Sequence, residues 1–200
     1  MFNFNNLLAR VLLAFTLAAS AGAAVAGPTY HVDVNTAALG GTSGYLDFLI
    51  IGQGDSATTV ATLSHFMGNF SGDVYTDNAS GSLATGATIG SGGSWNEFAL
   101  WASFGGNFSF DVSFDQAIDD IAGAFLQVAL LGADFSYLAP TTGDIAQFNL
   151  QPGQPIGLVP SAFATISLAP DVSDVPEPSD WAMMATGLAL LGFTLRRRAR

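Results

Sequence analysis

The stretch NFSFDVSF, Asn107–Phe114, decides the fold class. Phe108, Phe110, Val112 and Phe114 alternate with Ser109, Asp111 and Ser113, a period of two. Successive side chains of a strand point to opposite faces, so this pattern builds one apolar face and one polar face. A half-buried antiparallel strand needs that division, and the 3.6-residue period of a helix would scatter it. Just before it, NEFALWASF (96–104) is apolar enough to be its neighbour, with Gly105, Gly106 and Asn107 supplying the hairpin connection.

Working outward, the same reading recurs along the chain. TYHVDVN (29–35) sets Tyr30, Val32 and Val34 against His31, Asp33 and Asn35. GYLDFLII (44–51) and TTVATLSHF (58–66) follow as strands, and SLATGATI (82–89) is a weaker one. AFLQVALLG (124–132) is apolar on both faces and is expected to be a central strand covered on both sides. FSYL (135–138), IAQFNL (145–150) and AFATISLA (162–169) complete the series. GDVYTDNASG (72–81) reads as turn-rich, and FDQAIDDIAGAF (114–125) as a site for a short helical turn. Eight or nine short strands separated by Gly, Asn, Asp and Pro predict an all-β domain over residues 27–169. The expected architecture is an antiparallel β-sandwich, jelly-roll-like, with a twisted barrel as the alternative.

Charge narrows the function classes. The five basic residues are Arg10, Arg196, Arg197, Arg198 and Arg200, so residues 27–195 contain neither Lys nor Arg. All 16 acidic residues lie between Asp33 and Asp180. Nucleic-acid binding by counterion release, phosphate-loop chemistry and adhesion to anionic lipid by a basic patch all need cations that this body lacks. The absence of cysteine removes disulfides, thiol catalysis and cysteine zinc sites, so the domain must be held by its core alone.

Candidate sites are sparse. His31 and His65 are far apart in sequence and make a poor zinc pair, and no G-x-S-x-G elbow accompanies the serines. No catalytic residue and no cofactor is expected, and the protein reads as non-enzymatic. Asp73, Asp77, Asp111, Asp115, Asp119 and Asp120 lie in oxygen-rich segments where calcium could enter. None has EF-hand spacing, and turn formation and solubility account for them. Trp95, Trp101, Tyr45 and Tyr75 could form a stacking platform for a sugar. Trp95 and Tyr75 are the candidate glycan contacts, because packing within the strand core explains Trp101.

The two ends carry targeting information. Arg10, the apolar run 11–19 and the small residues SAGAAVAG (20–27) read as a secretory signal over residues 1–26, with Ala24 and Ala26 as the cleavage pattern. At the other end, residues 170–180 form a Pro-rich acidic linker. Residues 181–195 are fifteen uncharged residues, about 22 Å as a helix against a hydrocarbon core of about 30 Å. Trp181 suits one interface of a transmembrane helix. Arg196, Arg197, Arg198 and Arg200, in the cluster 196–200, suit the cytoplasmic one and leave the body outside. Val175, Pro176, Glu177 and Pro178, then the short helix, then the arginines, resemble the PEP-CTERM sorting signal of Gram-negative bacteria. The resemblance covers only the last 26 residues or so, and Asp180 stands where that family often has a small or polar residue. It implies an exosortase as partner, a precursor anchored in the inner membrane, and later delivery to the cell surface or matrix. It also implies a structural or adhesive role beside exopolysaccharide in a biofilm; the alternative, read from the aromatic residues, is a carbohydrate-binding module recognising a matrix polysaccharide. The body is more loosely similar to the small Phe- and Gly-rich β domains that such proteins often carry.

Overall fold

A computed structural model describes residues 27–53, 59–115, 123–138 and 143–169. The signal segment with Ala24 and Ala26, the helical turn expected near 116–122, and the tail with Val175, Pro176, Glu177, Pro178, Trp181 and the arginines lie outside the described residues.

Among the described residues the chain forms twelve strands and a single 3-10 turn, Ala37–Leu39. The strands are β1 Thr29–Asn35, β2 Ser43–Gly52, β3 Val60–Met67, β4 Phe70–Asp77, β5 Ala79–Ser82, β6 Gly86–Gly90, β7 Glu97–Ser103, β8 Asn107–Asp115, β9 Ala124–Leu131, β10 Ala146–Leu150, β11 Gly157–Pro160 and β12 Ala164–Leu168. They make two six-stranded sheets, with orders β12-β1-β8-β3-β6-β5 and β11-β10-β9-β2-β7-β4. The paired strands are antiparallel, and the two sheets pack as a sandwich.

The alternation in the sequence becomes the core. In the first sheet β1 sends in Tyr30, Val32 and Val34, β8 sends in Phe108, Phe110, Val112 and Phe114, and β3 adds Ala61 and Leu63. From the second sheet come Leu46, Phe48 and Ile50 of β2, Phe98 and Leu100 of β7, and Leu126, Val128 and Leu130 of β9. Phe48 and Phe110 meet edge to face across the sandwich, ring centroids 4.8 Å apart at 90°, the arrangement that ring quadrupoles favour.

Several local expectations change. Residues 72–81 hold much of β4 and β5, not a turn. Both are edge strands without a fully buried residue, β4 exposed along nearly its whole length and β5 at its two central residues, so no buried face imposes the alternation that would have revealed them. The same holds for β11, exposed along most of its length at the other edge of the second sheet. FSYL forms no strand: Tyr137 makes an isolated bridge to Leu131 at the end of a tight turn. Trp101 is not in the inner core. It stands half-buried on the outer face of β7, edge-on to Tyr45 at 4.9 Å.

Candidate functional site

The outer face of the second sheet carries the site. Its centre is β2, flanked by β7 and β9. Asp47 faces outward there, directly opposite Ala99 on β7 and Ala129 on β9. Two small side chains on either side leave a depression with a carboxyl at its floor. Leu49, next on that face, lies opposite Glu97 and Gln127, so the acid of β7 is diagonal to Asp47 and within its reach.

Aromatic side chains raise the walls. Beyond β9 the chain turns sharply, with the Asp134 carboxylate accepting from the Ser136 amide at 3.1 Å and the Ser136 hydroxyl at 2.6 Å. That turn holds Phe135 at φ 61°, a conformation costly for a bulky side chain. Phe135 then stacks on Tyr45 at 4.9 Å and meets Tyr75 of β4 edge-on at 5.2 Å. On the other flank Trp95 donates its indole N–H to Glu97. Its loop is pinned by Asn96, which is buried and bonds Gly93 on both sides and the Ile50 carbonyl. Tyr137 and Asp144 close the remaining side, joined by a 3.4 Å hydrogen bond, while Gln127 donates to Asp144.

The result is a solvent-facing cleft of about 280 Å³, lined by Asp47, Glu97 and Asp144 beneath Tyr75, Trp95, Phe135 and Tyr137, among others. Its electrostatics are unusual. Asp47 is 5% exposed and Glu97 equally so, and the two acids are diagonal neighbours on adjacent strands. Burial, and then the neighbouring Glu97, push the Asp47 carboxyl up to about 8, so it holds its proton at neutral pH. Its Oδ1 is buried without a hydrogen-bond partner, the single such side-chain atom among the described residues. Burial raises Asp144 as well, against the opposing effect of its bonds from Gln127 and Tyr137.

A second polar cluster occupies the outer face of the first sheet. His31 on β1 stands directly opposite Asp111 on β8, with Nδ1 2.6 Å from Oδ1. Strict alternation would turn His65 inward. A bulge in β3 after Ser64, with His65 at φ 52°, brings its Nδ1 within 2.9 Å of the other Asp111 oxygen. The hydrogen bond to Asp111 raises the His31 pKa above its ordinary value. The two histidines are therefore neighbours, although far apart in sequence. His65 uses the same nitrogen towards Asp111 and, at 3.3 Å, towards Ser64, whereas a catalytic triad needs both ring nitrogens. Among the described residues no group of three or more His, Asp or Glu side chains is arranged to hold a metal ion.

Of the residues singled out from sequence, Tyr75 and Trp95 meet in the cleft, with Trp95 about half exposed. Asp73 bonds the Ser71 hydroxyl on the exposed edge strand, and Asp111 is occupied by the histidines. Sequence reasoning missed Asp47, Glu97, Asp144, Phe135 and Tyr137. A signal existed for the first, a lone acid in the apolar run GYLDFLII. Comparison with known proteins finds no matching family, no similar curated protein and no similar solved structure.

Proposed function

We propose that this chain is an exported saccharide-binding protein that recognises a matrix polysaccharide through the cleft on its second sheet. The observation that carries the reading is the convergence of Tyr75, Trp95, Phe135 and Tyr137 over buried hydrogen-bonding carboxyls. Aromatic faces pack against the C–H faces of a sugar ring, and buried acceptors orient its hydroxyls. Delivery follows the PEP-CTERM reading of the tail. An exosortase processes an inner-membrane precursor and leaves the domain at the cell surface or in the matrix of a Gram-negative bacterium, where saccharide binding provides adhesion. The order β1-β8-β3-β6 in one sheet and β2-β7-β4 in the other supports a jelly roll for the first eight strands, with β5 moved to the first sheet and β9–β12 added at the edges.

Binding is favoured over hydrolysis by the spacing of the carboxyls. Glycoside hydrolases hold two carboxyls about 5–9.5 Å apart, on either side of the scissile bond. Asp47 and Glu97 are diagonal neighbours on adjacent strands, both 5% exposed in the lining of the cleft, and so lie on one side of a bound sugar. Because the cleft does gather three carboxyls, hydrolysis is the second reading, and release of reducing ends from a bound glycan would establish it. The test of binding is a glycan array with the full-length chain in detergent. Trp95→Ala and Tyr75→Ala are each expected to weaken the best hit about tenfold, roughly one lost ring contact. Undiminished binding in both variants overturns the assignment of this cleft.

A further inference from the structure

We infer that the cleft selects an amino sugar with a free amino group, its ammonium seated among Asp47, Glu97 and Asp144 and its ring against the aromatic wall. This rests on the saccharide reading and names the class of sugar.

Charge balance is the first observation. Three carboxyls share one cleft, and residues 27–195 contain no Lys or Arg that could neutralise them. The ion pairs among the described residues all involve His31 or His65, on the other sheet. In the free protein Asp47 is neutralised by a proton, and in the complex positive charge can come from the ligand. The second observation is independent of charge: Asp47 lines the cleft, and its Oδ1 is buried without a hydrogen-bond partner. A buried acceptor without a partner costs about 1–3 kcal/mol, which a ligand N–H placed there would recover.

Chemistry then separates the ligand classes. A primary ammonium offers three N–H donors as well as charge, and the faces of Trp95 and the tyrosines attract cations. A quaternary ammonium has no N–H and would leave Oδ1 unsatisfied. A uronic acid brings a further negative charge and is repelled. Calcium takes six to eight oxygens, and this cleft is walled largely by rings and by Leu49, Ala129 and Leu131. Its volume, at the lower end of ligand clefts, fits a single ring with its substituents rather than a buried chain.

A proton signature follows. The titratable groups around Asp47 are Glu97 on β7, Asp144 before β10, Tyr75 on β4 and Tyr137 after β9, all acidic. With the Asp47 pKa at about 8, an arriving ammonium displaces the proton held by Asp47. A neutral sugar displaces none.

The experiment is calorimetry on the full-length chain in detergent at about pH 6, where the amine is largely protonated, in buffers of different ionisation enthalpy. The probes are a glucosamine oligosaccharide and its fully N-acetylated counterpart. The glucosamine probe is expected to bind about tenfold or more tightly and to release up to about one proton. Asp47→Asn should reduce both the preference and the proton release, with Glu97→Gln carrying the same test should the first variant not fold. Equal affinity for the two probes, a preference unchanged in the folded variants, or displacement of the glucosamine probe by millimolar calcium overturns the amino-sugar inference alone. Binding of neither probe, with no other saccharide bound on an array, overturns the saccharide reading with it.

Discussion

Stability should fall as pH rises across neutrality, and Asp47→Asn should remove much of that fall. Asp47 titrates near 4 in the unfolded chain and at about 8 in the fold. Between those values the folded state holds more protons than the unfolded state, so raising the pH favours unfolding. A single carboxyl contributes at most about 1.4 kcal/mol per pH unit, hence up to about 4 kcal/mol between about pH 5 and pH 8. The interior relaxes and admits water around a carboxylate that ionises, so roughly half of that bound is the expectation. Asp144, also raised, adds a slope of the same sign, and His31 adds one above its ordinary value of 6.5. Both remain in the variant, so the difference between the two proteins isolates Asp47. Asparagine keeps the shape and stays neutral at every pH. Urea unfolding at about pH 5, 6, 7 and 8 should give variant and wild type similar stability at the acid end. At the alkaline end the variant should be more stable by about 2 kcal/mol, or about 4–8 °C in Tm. Parallel pH profiles would show that Asp47 is ionised and solvated, and the account of the cleft would be wrong.

Other outcomes follow from named contacts. Phe110→Ala removes a fully buried ring at the centre of the sandwich and should cost about 3–5 kcal/mol by chemical denaturation; a loss under about 1 kcal/mol would contradict the packing. Asp111→Asn should bring the His31 pKa back towards 6.5, followed by imidazole NMR. His31 lends stability below 6.5 that is lost as pH rises through its raised value, so the variant should be destabilised mainly on the acid side. Replacing Pro176, Glu177 and Pro178 with alanine should leave unprocessed protein in the inner membrane, read by mass spectrometry of the C-terminus; unchanged maturation would refute the sorting proposal. Gly44→Ala would place a methyl 2.0 Å from the Leu131 carbonyl oxygen, and should loosen β2 against β9 and lower Tm.

What could be read from sequence follows burial. Strands with one buried face, such as β1 and β8, show the alternation because a core imposes it. The edge strands β4, β5 and β11 answer to no such constraint; the Gly, Ser and Asp of β4 and β5, and the Gly and Pro that bound β11, resemble turns. Trp95 and Tyr75 were legible as exposed aromatics, but nothing in sequence spacing brings β4 beside β7 or folds Phe135 back over β2. His31 and His65 meet only because β1 and β3 both flank β8 and a bulge turns one ring outward. Sites built by lateral strand pairing leave no local trace, since the partners are chosen by the order of strands in the sheet.

The composition of the body nevertheless determines how such a site behaves. In most proteins a buried carboxylate is compensated by an arginine or lysine, and its pKa falls. Here no such residue exists between positions 27 and 195, so an acid placed under aromatic walls has only a proton or an incoming ligand to neutralise it. Burial and the neighbouring acid then act in the same direction on Asp47, which is why its pKa rises so far. A buried acid in a domain without Lys or Arg therefore favours its protonated form when nothing else neutralises it. The cleft over β2 and the outer cluster on Asp111 differ in this respect. The latter already has His31 and His65 as partners, so it is satisfied internally and offers a ligand less.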